Sequence, residues 1–352
     1  MTNPYRHPSS ILLVRLSAIG DVILASALIP VLRAAYPQSR LVWLTDDINT
    51  GLLIHHPDLD RVMVVPRGYW KQLMKQGRYL RLLLDVRRLV KDLRSEGFDW
   101  AIDLQGLLKS GIWARLSGAR FRIGLGSREG SQRWMHHIVS RDTEIDRPGV
   151  EYWLLAQALE LDPGAFPMSI TVPAVVREQV AGKLQTQGVD RAYAVICPFT
   201  TRPQKHWLDD RWQDLARRLM AERGYQVVML GGPGDRGRAA VIAGGVPGLI
   251  DLTGTTALIE AAAVIAGAQL LVGVDTGMTH LGIAMKTPTL ALFGSTRPYL
   301  DTRVPHARVL YGAMPCSPCR RRPTCDDDFT CMKQHTVDGI MAELDTLLPS
   351  SS

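Results

Sequence analysis

The 352 residues exceed one ordinary hydrophobic core and suit two domains of about 150 residues, and a 46% apolar, 21% charged composition places the chain among soluble globular proteins. No apolar run approaches the roughly 20 residues that span a bilayer, and the longest candidate, Val22–Leu32, is about half that. Lysine and arginine exceed aspartate and glutamate, 41 against 34, which favours anionic partners; nucleic acid is set aside because no zinc-finger spacing or aromatic-studded basic sheet motif is present.

In chain order, Met1–Ser10 carries no apolar core or small-residue cleavage site, so no secretory signal is read and a cytoplasmic protein is expected. Ile11–Leu16 is β-branched and apolar and predicts the first strand. Ser17–Asp21 then turns into a helix over about Val22–Ala35, which Pro37 ends. Leu41–Leu44, Arg61–Val65 and Asp99–Leu104 predict three more strands. Between the last two, Arg67–Arg94 holds nine Lys/Arg against Asp85 and Asp92. Within it Leu73, Leu80, Leu83, Leu84, Val86, Leu89, Val90 and Leu93 are spaced as one buried helical stripe. The stretch reads either as a solvated basic face over a core helix or as a surface for an anionic membrane leaflet, where each Lys or Arg adds about 1 kcal/mol. A second basic stretch follows at Arg120, Arg122, Arg128, Arg133, His136 and His137.

Periodicity breaks over Leu161–Pro173 and then restarts. Strands are predicted at Ala192–Cys197, Gln226–Leu230, Leu249–Leu252, Gln269–Val274 and Thr289–Phe293. Helices are predicted at Asp210–Arg223, at Ala257–Ala266, from near Thr276, and over about Val337–Leu348. Strands separated by helices imply parallel sheets wrapped on both faces. Two such domains, 1–165 and 176–335, are expected to face a central cleft, with 336–352 folding back on the first.

Four loops lie just after predicted strands, where open α/β sheets place their ligands. In Ser17-Ala18-Ile19-Gly20-Asp21, Gly20 permits close backbone approach. Asp21 is either a helix N-cap or a general base for an acceptor hydroxyl. Phe199–Trp207 is either a diphosphate cradle built on Thr200, Thr201 and Lys205 or a solvated polar loop. Gly231-Gly232-Pro233-Gly234-Asp235 suits close contact with a nucleotide, or is an ordinary strand-to-helix turn. Asp275-Thr276-Gly277 offers N–H groups and a hydroxyl at a helix start, which suits an anion. His280 falls one turn deeper on the same face, as a core residue or a substrate contact. Cys316, Cys319, Cys325 and Cys331 read as a structural zinc or iron–sulfur site, or as four reduced thiols in a surface loop. No Asp-x-Asp motif lies near the four loops.

The string Leu13-Val14-Arg15-Leu16-Ser17-Ala18-Ile19-Gly20-Asp21 resembles the N-terminal signature of glycosyltransferase family 9, the ADP-heptose:lipopolysaccharide heptosyltransferases. Thr200-Thr201 with Lys205-His206-Trp207 is similar to that family's donor-phosphate loop. Gly231–Asp235, Asp275-Thr276-Gly277 with His280, and Leu292-Phe293-Gly294-Ser295-Thr296 also resemble its pattern. Asp103-Leu104-Gln105-Gly106-Leu107-Leu108-Lys109-Ser110 is most similar to the heptosyltransferase I branch, which adds the first heptose to Kdo. The matches run in order from residue 11 to about residue 331.

The resemblance implies a GT-B fold of two doubly wound, Rossmann-like α/β domains. It implies inverting transfer without a divalent metal or other cofactor. The acceptor would lie mainly on the first domain and ADP-heptose on the second. By the same resemblance Asp21 is the general base, and Lys205 with Thr200 and Thr201 holds the diphosphate. Gly232, Asp235, Asp275, Thr276, Gly277 and His280 complete the donor site. Ser17, Gly20, Gln105, Lys109 and Arg128 face a lipid-linked, phosphorylated Kdo acceptor at the inner face of the inner membrane. Lys205 and helix-start N–H groups would then supply the charge stabilisation that Mg²⁺ gives a metal-dependent enzyme. Three rivals remain at this point. One is heptosyltransferase II, acting on a heptosylated core. The others are an epimerase of the same shape and a non-catalytic nucleotide-sugar or metal-binding protein.

Overall fold

Ser10–Val14 (β1) is buried along its whole length, because helices cover both faces of the sheet it enters and leave no polar side to alternate with. Around it the computed structural model, which describes residues 7–319 and 322–348, builds a six-stranded parallel sheet. The other strands are Arg40–Asp46 (β2), Arg61–Val65 (β3), Trp100–Asp103 (β4), Phe121–Leu125 (β5) and His137–Val139 (β6). Their order is β3-β2-β1-β4-β5-β6. A second six-stranded parallel sheet holds Tyr193–Cys197 (β7), Gln226–Met229 (β8), Ile250–Asp251 (β9), Leu270–Val274 (β10), Thr289–Phe293 (β11) and Ala307–Tyr311 (β12). It is ordered β12-β11-β10-β7-β8-β9. Both sheets grow outward from a central strand, then restart on its other side. That reversal opens a crevice at the carboxyl ends of β1 and β4, and of β7 and β10.

The chain divides into two units. One runs to Ile145 and resumes over Gly149–Thr171; the other takes Asp146–Pro148 and the described chain from Val172 onward. In the first, Leu12, Val14, Leu44, Phe98 and Trp113 sit in one core. In the second, Trp207 meets Trp212 edge-on at 4.9 Å inside a core of its own. The last helix, Val337–Leu347, belongs to this second core through Ile340, Met341 and Leu344. Asp338 pairs with Arg218 at 2.5 Å, and Glu343 pairs with Arg308.

Some expectations shift in detail. The helix predicted over Val22–Ala35 is two, Ile19–Ala25 and Leu28–Ala35. Pro30 lacks the N–H that would bond back to Ser26, so one continuous ladder cannot form. Arg67–Arg94 is likewise two helices, Arg67–Lys75 and Tyr79–Ser95, separated at Gly77, whose φ of 68° suits glycine. The single buried stripe is corrected with it: Leu73 and Leu93 are buried, whereas Leu80, Leu83 and Leu84 face water. β5, β6, β12 and the helix Ala174–Thr186 carried no sequence expectation. In β12, Ala307 and Val309 are buried while Arg308 points outward, the half-exposed pattern of an edge strand. None of the described helices is long and apolar enough to cross a membrane.

Candidate active site

In the first unit a polar cluster grows from the neighbouring ends of β1 and β4, where Val14 pairs with Asp103. The turn at Ser17-Ala18 leads into Ile19–Ala25 and puts Asp21 in that helix's first turn. Asp21 is not the cap itself; its Oδ2 reaches back to accept the Ala18 N–H at 3.2 Å. The same oxygen is ion-paired with Arg15. Arg15 is buried, donates from Nη1 to the Leu104 carbonyl at 2.8 Å, and lies 5.9 Å from the Tyr152 ring centroid. The Tyr152 hydroxyl donates to the Asp21 carbonyl at 3.3 Å, and burial pushes its pKa far up, so it stays a donor. One carboxylate oxygen of Asp21 is thus anchored twice. The side chain is still 44% exposed, and Oδ1 takes no hydrogen bond among the described residues.

Beyond β4, Asp103 Oδ1 accepts the N–H groups of Gln105 and Gly106, both at 3.0 Å, and closes the turn that returns the chain toward β1. Gln105 Oε1 accepts the Leu16 N–H at 3.2 Å, and Lys109 Nζ donates to Ser17 Oγ at 3.0 Å. Ser17, Gln105 and Lys109 therefore meet, with Gly20 half-buried in the turn beside them. Arg128 does not join them. Its backbone N–H donates to Gly106 at 2.9 Å, while its exposed side chain makes no hydrogen bond or ion pair among the described residues. Two unassigned residues do join. Buried Asp46, ending β2, pairs with Arg67 at 2.6 Å, and both charges act on Lys109. Burial and the Arg67 charge hold the Lys109 pKa down, with Asp46 opposing. Burial holds Asp46 above the usual carboxylate range despite Arg67. The available signal for Asp46 was its position at a strand's carboxyl end.

In the second unit the corresponding crevice lies at β7 and β10, where Cys197 pairs with Gly273. Lys205 ends a single helical turn, Pro203–Lys205, and its ammonium is ion-paired with Asp275 Oδ2. Thr296, after β11, donates its hydroxyl to the same oxygen at 2.5 Å. His280 Nε2 lies 4.0 Å from Asp275 Oδ1, and His280 Nδ1 is 2.7 Å from the Tyr299 hydroxyl. Burial works against ionising Asp275, yet the charges of Lys205 and His280 outweigh it and hold the carboxyl below its ordinary range. Asp275 is thus the hub that positions Lys205, whose ammonium also donates to the Asp275 carbonyl at 3.5 Å and keeps the third of its N–H groups for a further partner. Thr276 occupies the N-cap position of the helix Gly277–Ala284 without a side-chain capping bond, and the first N–H groups of that helix have no partner within it.

The remaining donor candidates stand apart from this hub. Asp235 Oδ2 accepts the Gly232 N–H at 2.8 Å and so closes its own turn. Thr200 and the exposed Thr201 lie on the loop that carries Lys205. Thr296 and Tyr299 are the residues sequence reasoning left without a role. Thr296 ends one of the strings that carried the family resemblance; Tyr299 had no local signal.

The four-cysteine segment reads in the sequence as a structural metal site or as four reduced thiols. Among the described residues no three His, Cys, Asp or Glu side chains gather to hold a metal. Burial raises the pKa of both Cys319 and Cys331, which favours protonated thiols.

The glycosyltransferase family 9 (heptosyltransferase) model matches residues 86–328. Lipopolysaccharide heptosyltransferase 1 of Pseudomonas aeruginosa is 31% identical over 335 residues, covering 90% of this chain and 87% of that relative. A glycosyl transferase family 9 structure from Veillonella parvula superposes with a TM-score of 0.80 at 22% identity, covering 97% of this chain and 98% of the other. Heptosyltransferase WaaC of E. coli, solved with ADP-2-deoxy-2-fluoro heptose, gives a TM-score of 0.71 at 23% identity, covering 96% and 99%. The two structures share the GT-B fold with this chain. Matched by the family model across most of its length and by a relative at 31% identity, the chain is a glycosyltransferase and belongs to family 9, the heptosyltransferases.

Proposed function

We propose that the enzyme transfers heptose from ADP-heptose to Kdo of a lipid-borne lipopolysaccharide core, inverting the anomeric carbon without a divalent metal. The heptosyltransferase 1 name of the P. aeruginosa relative and the ADP-heptose analogue in the WaaC structure support the donor and the acceptor class. The observation that carries the chemistry is Asp21. Arg15 and the Ala18 N–H anchor its Oδ2, which leaves Oδ1 to receive a proton. An acceptor hydroxyl oxygen bonds to the anomeric carbon as its proton passes to Asp21. The bond from that carbon to the diphosphate oxygen breaks on the opposite face, and its electron pair leaves with ADP. Lys205, positioned by Asp275, and the first N–H groups of Gly277–Ala284 meet the charge that grows on the diphosphate. Ser17, Gln105 and Lys109, with Arg67, suit an acceptor that bears phosphate.

The test is ADP release from ADP-heptose with and without Kdo–lipid A, followed by the anomeric configuration of the product. Acceptor-dependent release with inversion supports the reading. ADP-heptose binding without turnover would replace it with a non-catalytic one. A lipid-borne acceptor would also hold the enzyme at the cytoplasmic face of the inner membrane.

A further inference from the structure

Residues 67–94 carry nine Lys/Arg and two Asp, a net +7 equal to that of the whole chain, so the rest holds 32 basic and 32 acidic residues. The basic excess is therefore concentrated on the hairpin of helices Arg67–Lys75 and Tyr79–Ser95. The first helix gives the core Trp70 and Leu73, and the second gives it a narrow stripe, Leu82, Val86, Leu89, Val90 and Leu93. The neighbouring flank holds large apolar side chains in water: Tyr79 is 65% exposed, Leu80 73%, Leu83 45% and Leu84 41%. Met74, 47% exposed, adds to them from the first helix. Helical spacing continues this flank through Arg87 and Lys91, both exposed. Asp85 is occupied by Arg81 and Arg88, whereas Lys71, Lys75, Arg78, Arg87 and Lys91 make no ion pair among the described residues.

We propose that this hairpin anchors the enzyme to an anionic bilayer, with Tyr79, Leu80, Leu83 and Leu84 entering the headgroup–acyl boundary and the surrounding cations meeting lipid phosphates. The inference deepens the reading above, in which the acceptor is carried by a lipid. Charge and exposed apolar area occur together on one helix, the combination that an anionic lipid surface rewards. A second copy is a poor occupant, because +7 would face +7. A polyanion such as nucleic acid would reward the cations and leave the leucines in water.

The test is co-sedimentation of the full chain with phosphatidylglycerol vesicles and with phosphatidylcholine vesicles. Wild type is expected to bind the anionic vesicles, and salt should weaken that binding without abolishing it. Leu80→Ser/Leu83→Ser/Leu84→Ser should weaken it about tenfold or more, through lost apolar burial. Arg87→Gln, Arg88→Gln and Lys91→Gln should each weaken it about fivefold. Turnover of a deacylated, water-soluble Kdo acceptor should be unchanged in all four variants. Absent turnover in wild type with vesicle binding intact would sink the function and spare the anchor. No vesicle binding by wild type at low salt would overturn the anchor. So would binding that the triple leucine variant leaves unchanged, or capture by polyglutamate or DNA in place of vesicles.

Discussion

Asp21 and Asp275 are both aspartates held by a cation, yet their surroundings assign them different work. Asp21 keeps an open oxygen and 44% exposure, so the proposed role as base puts its main effect on the reaction, while its removal also leaves buried Arg15 without its ion-pair partner. Asp21→Ala is expected to lower turnover by at least about 10²-fold with the affinity for ADP-heptose retained. Near-normal turnover would remove it from the role of base. Asp275 is enclosed, and its folded pKa lies below the ordinary value because Lys205 and His280 outweigh its burial. Its stabilising contribution is therefore fully present above about pH 4, where the unfolded carboxyl is also ionised, and fades as pH falls through the lower folded value. Thermal melts from neutral to acidic pH should show the difference between wild type and Asp275→Asn shrinking below that point. A constant difference across the range would contradict the ion-pair account.

At the scale of elements, the turn after β4 depends on Gly106. Its φ is 66°, and a Cβ built there would lie 2.3 Å from the Leu125 carbonyl oxygen and 2.9 Å from that of Gly126. Both obstacles are backbone at the end of β5, so neither can rotate away. Gly106→Ala should cost at least about 1–2 kcal/mol from the left-handed conformation alone, before the clash is counted. The same change would displace Gln105 and Lys109 from Ser17. Denaturant unfolding should show the midpoint falling, and an unchanged midpoint would mean the β4 turn has an alternative path. Gly77, with no atom within 4 Å of a built Cβ, offers the comparison in which only the backbone conformation is penalised.

At the scale of the molecule, each unit owns a six-stranded sheet and a separate core. Two cores need not melt together, and calorimetry is expected to resolve more than one transition. ADP at about 100 times its Kd should stabilise the unit that binds it by about 2.7 kcal/mol, which raises one transition. Partial proteolysis of the melt would identify it as the unit containing Trp207 and Trp212. A shift confined to the unit containing Trp113 would place the nucleotide on the wrong half.

The sequence by itself determined the architecture and the candidate loops for the chemistry. Continuous apolar runs such as Leu12–Val14 and Leu270–Val274 mark strands buried on both faces, and a loop after such a strand is confined to the ligand end of the sheet. Asp21, Lys205, Asp275 and His280 were legible as candidates for that reason, and Gln105 and Lys109 through the family resemblance. Only the tertiary structure decided what holds them. Tyr152 reaches Asp21 across 131 positions, Thr296 reaches Asp275 across 21, and Asp46 meets Arg67 through the end of β2. No local pattern encodes a meeting made by the closure of a sheet. The exposed leucines of Tyr79–Ser95 have the same cause: periodicity states which side chains share a helix face, and only the packed fold states which face is left uncovered.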